Sequence, residues 1–275
     1  MSTFPDFTRL LGAVASLGVD LADCLSDLAE GVVVSSELDY VAAPNGFYDV
    51  LPTGDIVRLI IHISQGGPER CHEDPERWHR YHTARCAAYG PPSRQLKHFK
   101  TRRSDGRFTY FLHDLWEREY RPEDRIKGRP LVLCRNCLGK LDHLALLNED
   151  GEPDLEGLLS GDLPRRLHTE PVVHDHDRIF GFPEADWRCI ALHAKNRAAW
   201  HCAHCAGDFR SARRFLHAHY REAGAGRATL GKVSALCAGC HALEEGHEIL
   251  RMRVRTAPEF AGFRESHSSH PALLA

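Results

Sequence analysis

Two short cysteine turns constrain the fold of this chain more than any other feature of its sequence. Cys202-Ala-His-Cys205 and Cys237-Ala-Gly-Cys240 are CxxC motifs with 31 residues between them. A gap of two residues lets both thiolates of one turn face the same cation, and two such turns complete a tetrahedral four-cysteine zinc site. The sequence therefore predicts a structural Zn²⁺ bound by all four of these cysteines.

A second set of metal-ligand residues lies further toward the N-terminus. His82-Thr-Ala-Arg-Cys86 and Cys134-Arg-Asn-Cys137 supply one histidine and three cysteines. If residues 79–88 are helical, a spacing of four places His82 and Cys86 on one face of the helix. Together with the downstream CxxC they predict a second structural Zn²⁺ site. Neighbouring residues compete as ligands of this site: Cys71, His72 and His79.

The cellular compartment decides how the ten cysteines are interpreted. The start of the chain lacks a basic segment ahead of its apolar stretch, so we expect no signal peptide and a cytoplasmic location. Cytosolic thiols stay reduced, which favours metal binding over disulfides. No apolar run approaches the roughly 20 residues that span a bilayer, so we expect no membrane partner. Cys24 and Cys189 lie in apolar helical patterns and are interpreted as core residues.

The remaining pattern predicts an α+β protein with two domains. Leucines recur at spacings of three and four over residues 5–30, which indicates a helix. Short apolar runs separated by Pro-Asn-Gly and Pro-Thr-Gly turns indicate strands: VVVSS, YVAA, FYDVL and IVRLIIHIS, with RFTYFL and PLVLC after them. We expect an N-terminal α+β domain over 1–147, a linker over 148–183, a zinc-bearing ββα domain over 184–255 and a flexible tail over 256–275.

Charge is distributed unevenly along the chain. The net charge is −3, but residues 187–255 contain 12 Lys and Arg against 5 Asp and Glu. A basic module of this kind suits a polyanion such as DNA, whose phosphates attract cationic side chains regardless of base sequence. The alternative is a solvated basic face without a partner. Five arginines flank the region of interest and are candidates for phosphate contacts: Arg210, Arg213, Arg214, Arg221 and Arg227.

Residues 187–247 resemble an HNH nuclease module, which has the ββα-metal fold. The resemblance rests on DWRCIALHAKNRAAW before the first CxxC, the strand LHAHY, the second strand and turn KVSALCAGCH, and a final His247. It implies a divalent-metal-dependent endonuclease acting on double-stranded DNA with Mg²⁺, Mn²⁺ or Ni²⁺. YHTARC, GRFTYFL and LVLCRNCLGKLD are also similar to an N-terminal zinc-bearing domain of some bacterial HNH proteins, which supports the second zinc site.

The resemblance also assigns roles, and two of them fall on unexpected residues. It places cation ligands at His219 and His241, the general base at Tyr220 and the asparagine that orients the base at Lys232. A phenol with a pKa of about 10 is protonated at neutral pH and is a poor base. We therefore expect catalysis to be weak or lost. His247 is either a cap of the following helix or a third cation ligand.

Three interpretations of the altered site remain open. In the first, the site is lost, and the zinc-stiffened module binds nucleic acid or assembles with a protein partner or a second copy of the chain. In the second, His217 is a substitute base, because two residues of separation place it on the same strand face as His219. Lys232 then binds phosphate as a point charge. In the third, the register is shifted, so that His219 is the base and His217 the ligand.

Overall fold

The computed structural model describes ten stretches of the chain and has a mixed α+β fold. The stretches are 21–34, 39–65, 80–90, 96–111, 125–143, 146–147, 151–160, 178–179, 182–222 and 229–274. The competing ligands and one arginine of the sequence analysis lie outside them: Cys71, His72, His79 and Arg227. Residues 5–20 of the helix expected over 5–30 also lie outside the described residues, as does the packing of Cys24. None of the described helices is long and apolar enough to cross a membrane.

Most of the apolar runs of the N-terminal half form strands, as predicted. The elements are α1 Leu21–Glu30, β1 Val32–Val34, β2 Val41–Ala43, β3 Gly46–Val50, β4 Asp55–Gln65, β5 Arg80–His82, β6 Leu96–Thr101, β7 Arg107–Phe111, β8 Arg125–Pro130, β9 Val132–Leu133, α2 Arg135–His143 and α3 Leu155–Ser160. The long run IVRLIIHIS lies within β4, whose residues 55–62 are all buried. Burial on both faces explains why apolar residues do not alternate with exposed polar ones in that run, although Asp55, Arg58 and His62 of this strand are buried as well.

The C-terminal half is built around one β-hairpin and the helices that cover it. Its elements are β10 Arg178–Ile179, β11 Phe182–Pro183, α4 Glu184–Arg197, β12 Leu216–Glu222, β13 Gly231–Cys237, α5 Ala238–Leu243, α6 Glu248–Thr256, α7 Ala261–Ser266 and α8 Pro271–Leu274. β12 and β13 pair antiparallel from Leu216 opposite Cys237 to Glu222 opposite Gly231. This strand–strand–helix order is the one expected from the sequence.

The hairpin of the C-terminal half continues the sheet of the N-terminal half. Strands follow the order β1-β6-β4-β13-β12, and β13 meets β4 where Gly231 lies opposite Ile56 and Lys232 opposite Asp55. Gly54 permits this approach, because its φ of +81° favours glycine and an added Cβ would lie 3.1 Å from the Val233 carbonyl oxygen. The boundaries expected at 147 and 184 stay predictions, and the described sheet runs across them.

Helix α4 is fixed to the same sheet by a buried carboxylate. Asp186 is fully buried and accepts hydrogen bonds from the Asn45 backbone N–H at 3.1 Å and the Tyr48 hydroxyl at 2.7 Å. Trp187 and Ile190 of this helix pack with strand residues in one core cluster, and Cys189 lies against it, half-buried. The helix that precedes the first CxxC turn is therefore anchored independently of any metal.

Residues 256–275, expected from the sequence to form a flexible tail, contain helical elements. A 3₁₀ turn at Pro258–Phe260 leads into α7 and α8. Phe260 and Phe263 are buried in the same core cluster as Cys202 and Cys237. The structure thus differs from the expectation, because aromatic side chains of this segment pack against the cysteine turns.

Candidate metal centres

The four cysteines of the two CxxC turns come together at the base of the hairpin. Cys202 and Cys205 follow α4 through a tight turn in which Ala199 and Trp200 have positive φ angles of 46° and 62°. Cys237 ends β13 and caps α5, which carries Cys240. The four sulfur atoms lie within 4.8 Å of one another. Cys205 is exposed and the other three are buried.

The donor set fits a tetrahedral metal ion. The sulfurs of Cys205 and Cys237 are 3.8 Å apart, and zinc–sulfur bonds of about 2.3 Å in a tetrahedron separate sulfurs by about 3.8 Å. The backbone N–H of Cys237 donates to Cys202 Sγ at 3.2 Å, and that of Cys240 donates to Cys237 Sγ at 3.3 Å. Such donors stabilise thiolate charge. These contacts identify the cluster as a site that can hold a metal ion.

Crowded thiols need a cation to lose all of their protons. The hydrogen bond with Cys237 lowers the pKa of Cys202 to about 4, whereas burial raises the pKa of Cys240 to about 12. Shifts in opposite directions mean that one thiolate forms at the expense of its neighbours. Metal binding at this cluster therefore releases protons.

The second predicted ligand set is also brought together. The ligand atoms of His82, Cys86, Cys134 and Cys137 lie within 4.8 Å of one another. Cys86 Sγ is 3.3 Å from His82 Nδ1 and 3.9 Å from Cys134 Sγ. Burial lowers the pKa of His82 to about 4, so the imidazole is neutral, as a ligand must be. This set also fits one metal ion.

Residues 80–88 do not form the helix on which the pairing of His82 with Cys86 was made conditional. His82 ends strand β5, which pairs with β4 at Ile61 and runs parallel to β9, with Arg80 opposite Val132. The chain then turns, and Cys86 returns toward His82. The backbone hydrogen bonds that a helix would form internally are used by the sheet. Pairing with β9 also delivers Cys134, whose backbone N–H donates to the Tyr81 carbonyl at 3.0 Å.

A third cluster, of histidines, lies where the hairpin meets α5. Nitrogen atoms of His219, His241 and His247 lie within 4.8 Å of one another. His219 comes from β12 and is only 8% exposed. Burial, followed by the neighbouring histidines, lowers the pKa of His241 to about 3. Imidazole nitrogens at this separation are suited to binding a divalent transition-metal ion.

His247 belongs to this cluster and does not cap α6 with its side chain. It occupies the position before the helix but makes no side-chain capping hydrogen bond. Its Nδ1 donates to the Glu245 carbonyl oxygen at 2.9 Å, so Nε2 is the ring nitrogen that a metal ion could contact. A backbone acceptor on one ring nitrogen commonly orients a metal-binding histidine. Of the two interpretations from the sequence, the geometry favours the ligand.

Three further side chains surround the histidine cluster. His217 Nδ1 lies 3.0 Å from His241 Nδ1, and a hydrogen bond to the backbone of Arg214 engages its ring as well. Arg221 Nε donates to His219 Nε2 at 3.4 Å, and its guanidinium also pairs with Glu244. Glu244 Oε2 is 3.6 Å from His219 Nε2. Glu244 was not predicted from the sequence, because no spacing rule marks an acidic residue in the turn after a CxxC motif.

Tyr220 and Lys232 have partners away from the histidine cluster. The Tyr220 ring packs edge-on against Phe182 and Trp187, with ring centroids 5.9 Å apart in both pairs. Its hydroxyl donates to the Leu230 carbonyl at 2.7 Å. Lys232 Nζ lies 3.4 Å from the buried carboxylate of Asp55. Adjacent strand residues point to opposite faces, so Tyr220 faces α4 while His219 faces α5.

The candidate phosphate-binding arginines are dispersed. Arg210 pairs with Asp208 on the surface. Arg213 lies over the Trp200 ring, 4.4 Å from its centroid, and Arg214 over the Phe215 ring at 4.6 Å. Arg221 Nε contacts His219 Nε2 directly, which places this guanidinium beside the histidine cluster.

Within the described part of the chain, the structure brings together three clusters that could hold a metal ion, two that contain cysteines and one of histidines. The two cysteine-containing sets were predicted residue by residue, and the third combines two predicted ligands with His247. Comparisons of the chain with protein-family models, with curated proteins and with solved structures gave no match.

Proposed function

We propose that the chain is a metal-dependent phosphodiesterase of the HNH type that acts on double-stranded DNA. The observation that carries the proposal is the convergence of His219, His241 and His247 on one small volume beside a four-cysteine cluster. A divalent ion bound there would neutralise the scissile phosphate and stabilise the leaving oxygen. The basic charge of residues 187–255 supports a polyanionic substrate.

The residues around the histidine cluster would orient ligands and substrate. His217 contacts His241 through Nδ1 and fixes the direction of that ring, which favours a positioning role over the substitute-base role. Arg221 is held by Glu244 at the cluster and would contact a substrate phosphate through the exposed part of its guanidinium. Tyr220 lies on the other face of β12, so we expect cleavage to be slow.

Donor chemistry supports a choice of ions. Thiolate and imidazole sets of four suit structural Zn²⁺, and we assign one Zn²⁺ each to the four-cysteine cluster and to the cluster of His82, Cys86, Cys134 and Cys137. Imidazole donors suit transition metals, whereas Mg²⁺ prefers oxygen. We therefore expect Ni²⁺ to support cleavage better than Mg²⁺.

Nicking of a supercoiled plasmid tests the proposal. His219→Ala and His241→Ala are each expected to lower the nicking rate by more than about 100-fold, since even outer partners of metal ligands contribute 10–100-fold. Arg103→Ala is the matched control, because that side chain pairs with Asp105 at 2.5 Å in the N-terminal half, outside the cluster and outside the basic segment 187–255. Nicking that persists in both histidine variants would contradict the assignment of the site.

A second candidate function is a non-enzymatic scaffold that binds nucleic acid or assembles a complex. Tyr220 and Lys232 favour it, since both serve packing and pairing in this fold instead of the roles that the HNH family gives their positions. On this alternative, wild-type protein fails to nick with any of the three ions. It still binds DNA with a steep salt dependence, and binding is unchanged in His219→Ala.

The second zinc assignment predicts a separable effect. Cys137→Ser is expected to remove one of two tightly bound equivalents of zinc, because its fully buried sulfur lies 3.7 Å from His82 Nδ1. Elemental analysis of the purified variant measures the loss. The four-cysteine cluster shares no ligand with this site, so the remaining equivalent should stay bound. Two equivalents retained in the variant would contradict the assignment.

A further inference from the structure

The C-terminal segment places a buried histidine against the four-cysteine cluster. His270 lies directly before α8 and is 8% exposed. Its Nε2 is 3.3 Å from Cys240 Sγ and 3.6 Å from Cys237 Sγ. His270 lies 30 residues beyond Cys240, outside both CxxC motifs. The two CxxC motifs do not predict a polar ring at these distances from two sulfurs.

The hydrogen bonding of the other ring nitrogen fixes which one carries the proton. The backbone N–H of Ala272 donates to His270 Nδ1 at 3.2 Å. An accepting nitrogen carries no hydrogen, so in the neutral ring the proton is on Nε2. The Nε2–H group is therefore the one that faces the sulfurs of Cys237 and Cys240. Hydrogen bonds to ionised acceptors are roughly twice as strong as neutral ones.

Gly239 in the second CxxC turn leaves room for the His270 ring. A Cβ added at Gly239 would lie 2.5 Å from both Cε1 and Nδ1 of His270. Gly239 lies within α5, where its backbone is helical, so the ring and not an unusual φ requires glycine here. The absence of a side chain at Gly239 therefore allows His270, from a segment distant in sequence, to pack against the second CxxC turn.

The segment around His270 is held by further contacts. Ala272 is fully buried, and its carbonyl accepts from Arg255 Nε at 3.0 Å. Phe263 packs against the His270 ring with a centroid separation of 5.7 Å. Helices α7 and α8 therefore meet the cysteine cluster through one polar group that is fixed on both sides.

We propose that His270 is a positioning residue of the four-cysteine metal centre. Its Nε2–H donates to the thiolates of Cys237 and Cys240, and by doing so it couples docking of residues 261–274 to metal binding. The inference rests on the proposed function in one respect, that the four cysteines bind a metal ion. Partners of this kind commonly contribute 10–100-fold to metal affinity.

Competition for zinc with a chromogenic chelator tests the proposal in the full chain. His270→Phe keeps a ring but removes the donor, and we expect zinc to be lost from the four-cysteine site at about 10–100-fold lower chelator concentration. His270→Gln retains an N–H at a similar reach and is expected to restore most of the affinity. Gly239→Ala, which displaces the ring without changing it, should reproduce the His270→Phe result.

His267→Phe is the matched control. His267 belongs to the same segment and stacks on Phe209 and Phe263 with interplanar angles of 9°. A phenyl ring preserves that stacking, so zinc retention should equal that of the wild type. Cobalt substitution adds a spectroscopic measurement, because thiolate-to-cobalt charge-transfer bands respond to hydrogen bonds at sulfur. We expect these bands to shift in His270→Phe and to remain unchanged in His267→Phe.

The outcomes separate this inference from the proposed function. Wild-type protein without metal at the four cysteines would overturn the zinc assignment itself. Metal-loaded wild type together with unchanged affinity and bands in His270→Phe would overturn only the role of His270. If His270→Phe does not fold, Gly239→Ala decides in its place, and wild-type affinity and spectrum in that variant overturn the proposal.

Discussion

Replacing Cys237 with serine is expected to remove one equivalent of bound zinc and to abolish cooperative unfolding of the C-terminal half. Cys237 is fully buried, ends β13 and caps α5, so its sulfur lies at the junction of strand and helix. Structural zinc contributes about 10–16 kcal/mol in small modules, which is comparable to the roughly 5–15 kcal/mol that stabilises a whole domain. Elemental analysis and thermal unfolding followed by circular dichroism measure the two effects.

Cys189→Ser provides the control for this prediction. Cys189 is a half-buried thiol of α4 that packs against the core outside all three metal clusters. The variant should keep both zinc equivalents and unfold in one transition close to that of the wild type. Two retained equivalents in Cys237→Ser, or an unfolding curve like that of Cys189→Ser, would show that the four-cysteine cluster does not support the fold.

Unfolding of the β12–β13 hairpin would also affect the sheet of the N-terminal half, because the two are hydrogen-bonded. Val233 N–H donates to the Gly54 carbonyl at 2.9 Å, and Leu230 N–H donates to Ile56 at 2.8 Å. Unfolding of β13 therefore leaves the start of β4 as an unpaired edge, which is prone to association with other chains. We expect Cys237→Ser to increase aggregation on heating, whereas Cys137→Ser leaves the β4–β13 edge paired.

The cysteine clusters could be predicted because ligand spacing is a local property. In each CxxC turn, two intervening residues are enough to let both thiolates bind one ion. That pattern can be recognised in the sequence without knowledge of the fold. The pairing of His82 with Cys86 was also identified, although through a helix that does not form. A spacing of four suits a helical face and equally a strand followed by a turn. Which of the two forms depends on pairing with β9, which lies 52 residues further along the chain.

Contacts between distant segments were the part that the sequence did not reveal. β13 pairs with β4 although the paired residues are about 175 positions apart in sequence. No local sequence pattern predicts which strands pair at such a separation. His270 has no motif around it, and its role depends on space left by Gly239. Glu244 is identified only by its contacts with Arg221 and His219. Alternation along LHAHY did predict that His217 and His219 share a face, and both rings meet His241.

The double variant Tyr220→His, Lys232→Asn is expected to be less stable by about 3 kcal/mol and to gain no nicking activity. It places the residues of the HNH family at the base and asparagine positions. A smaller, more polar ring at 220 loses the packing against Phe182 and Trp187, which costs about 2 kcal/mol. Removing the half-exposed Lys232 from Asp55 costs up to about 1 kcal/mol. Urea unfolding measures the stability loss.

Geometry explains why no activity should follow. The side chain at 220 points toward α4, so a histidine introduced there would meet Trp187 instead of the cluster formed by His219 and His241. Tyr220→Phe is the control, since it removes only the hydroxyl bond to Leu230 and should cost about 1 kcal/mol. A double variant that is as stable as the wild type and nicks plasmid faster would contradict this prediction. It would show that β12 can turn so that the side chain at 220 reaches the histidine cluster. In that case the two side chains alone, and not the way the strand is packed, limit the chemistry.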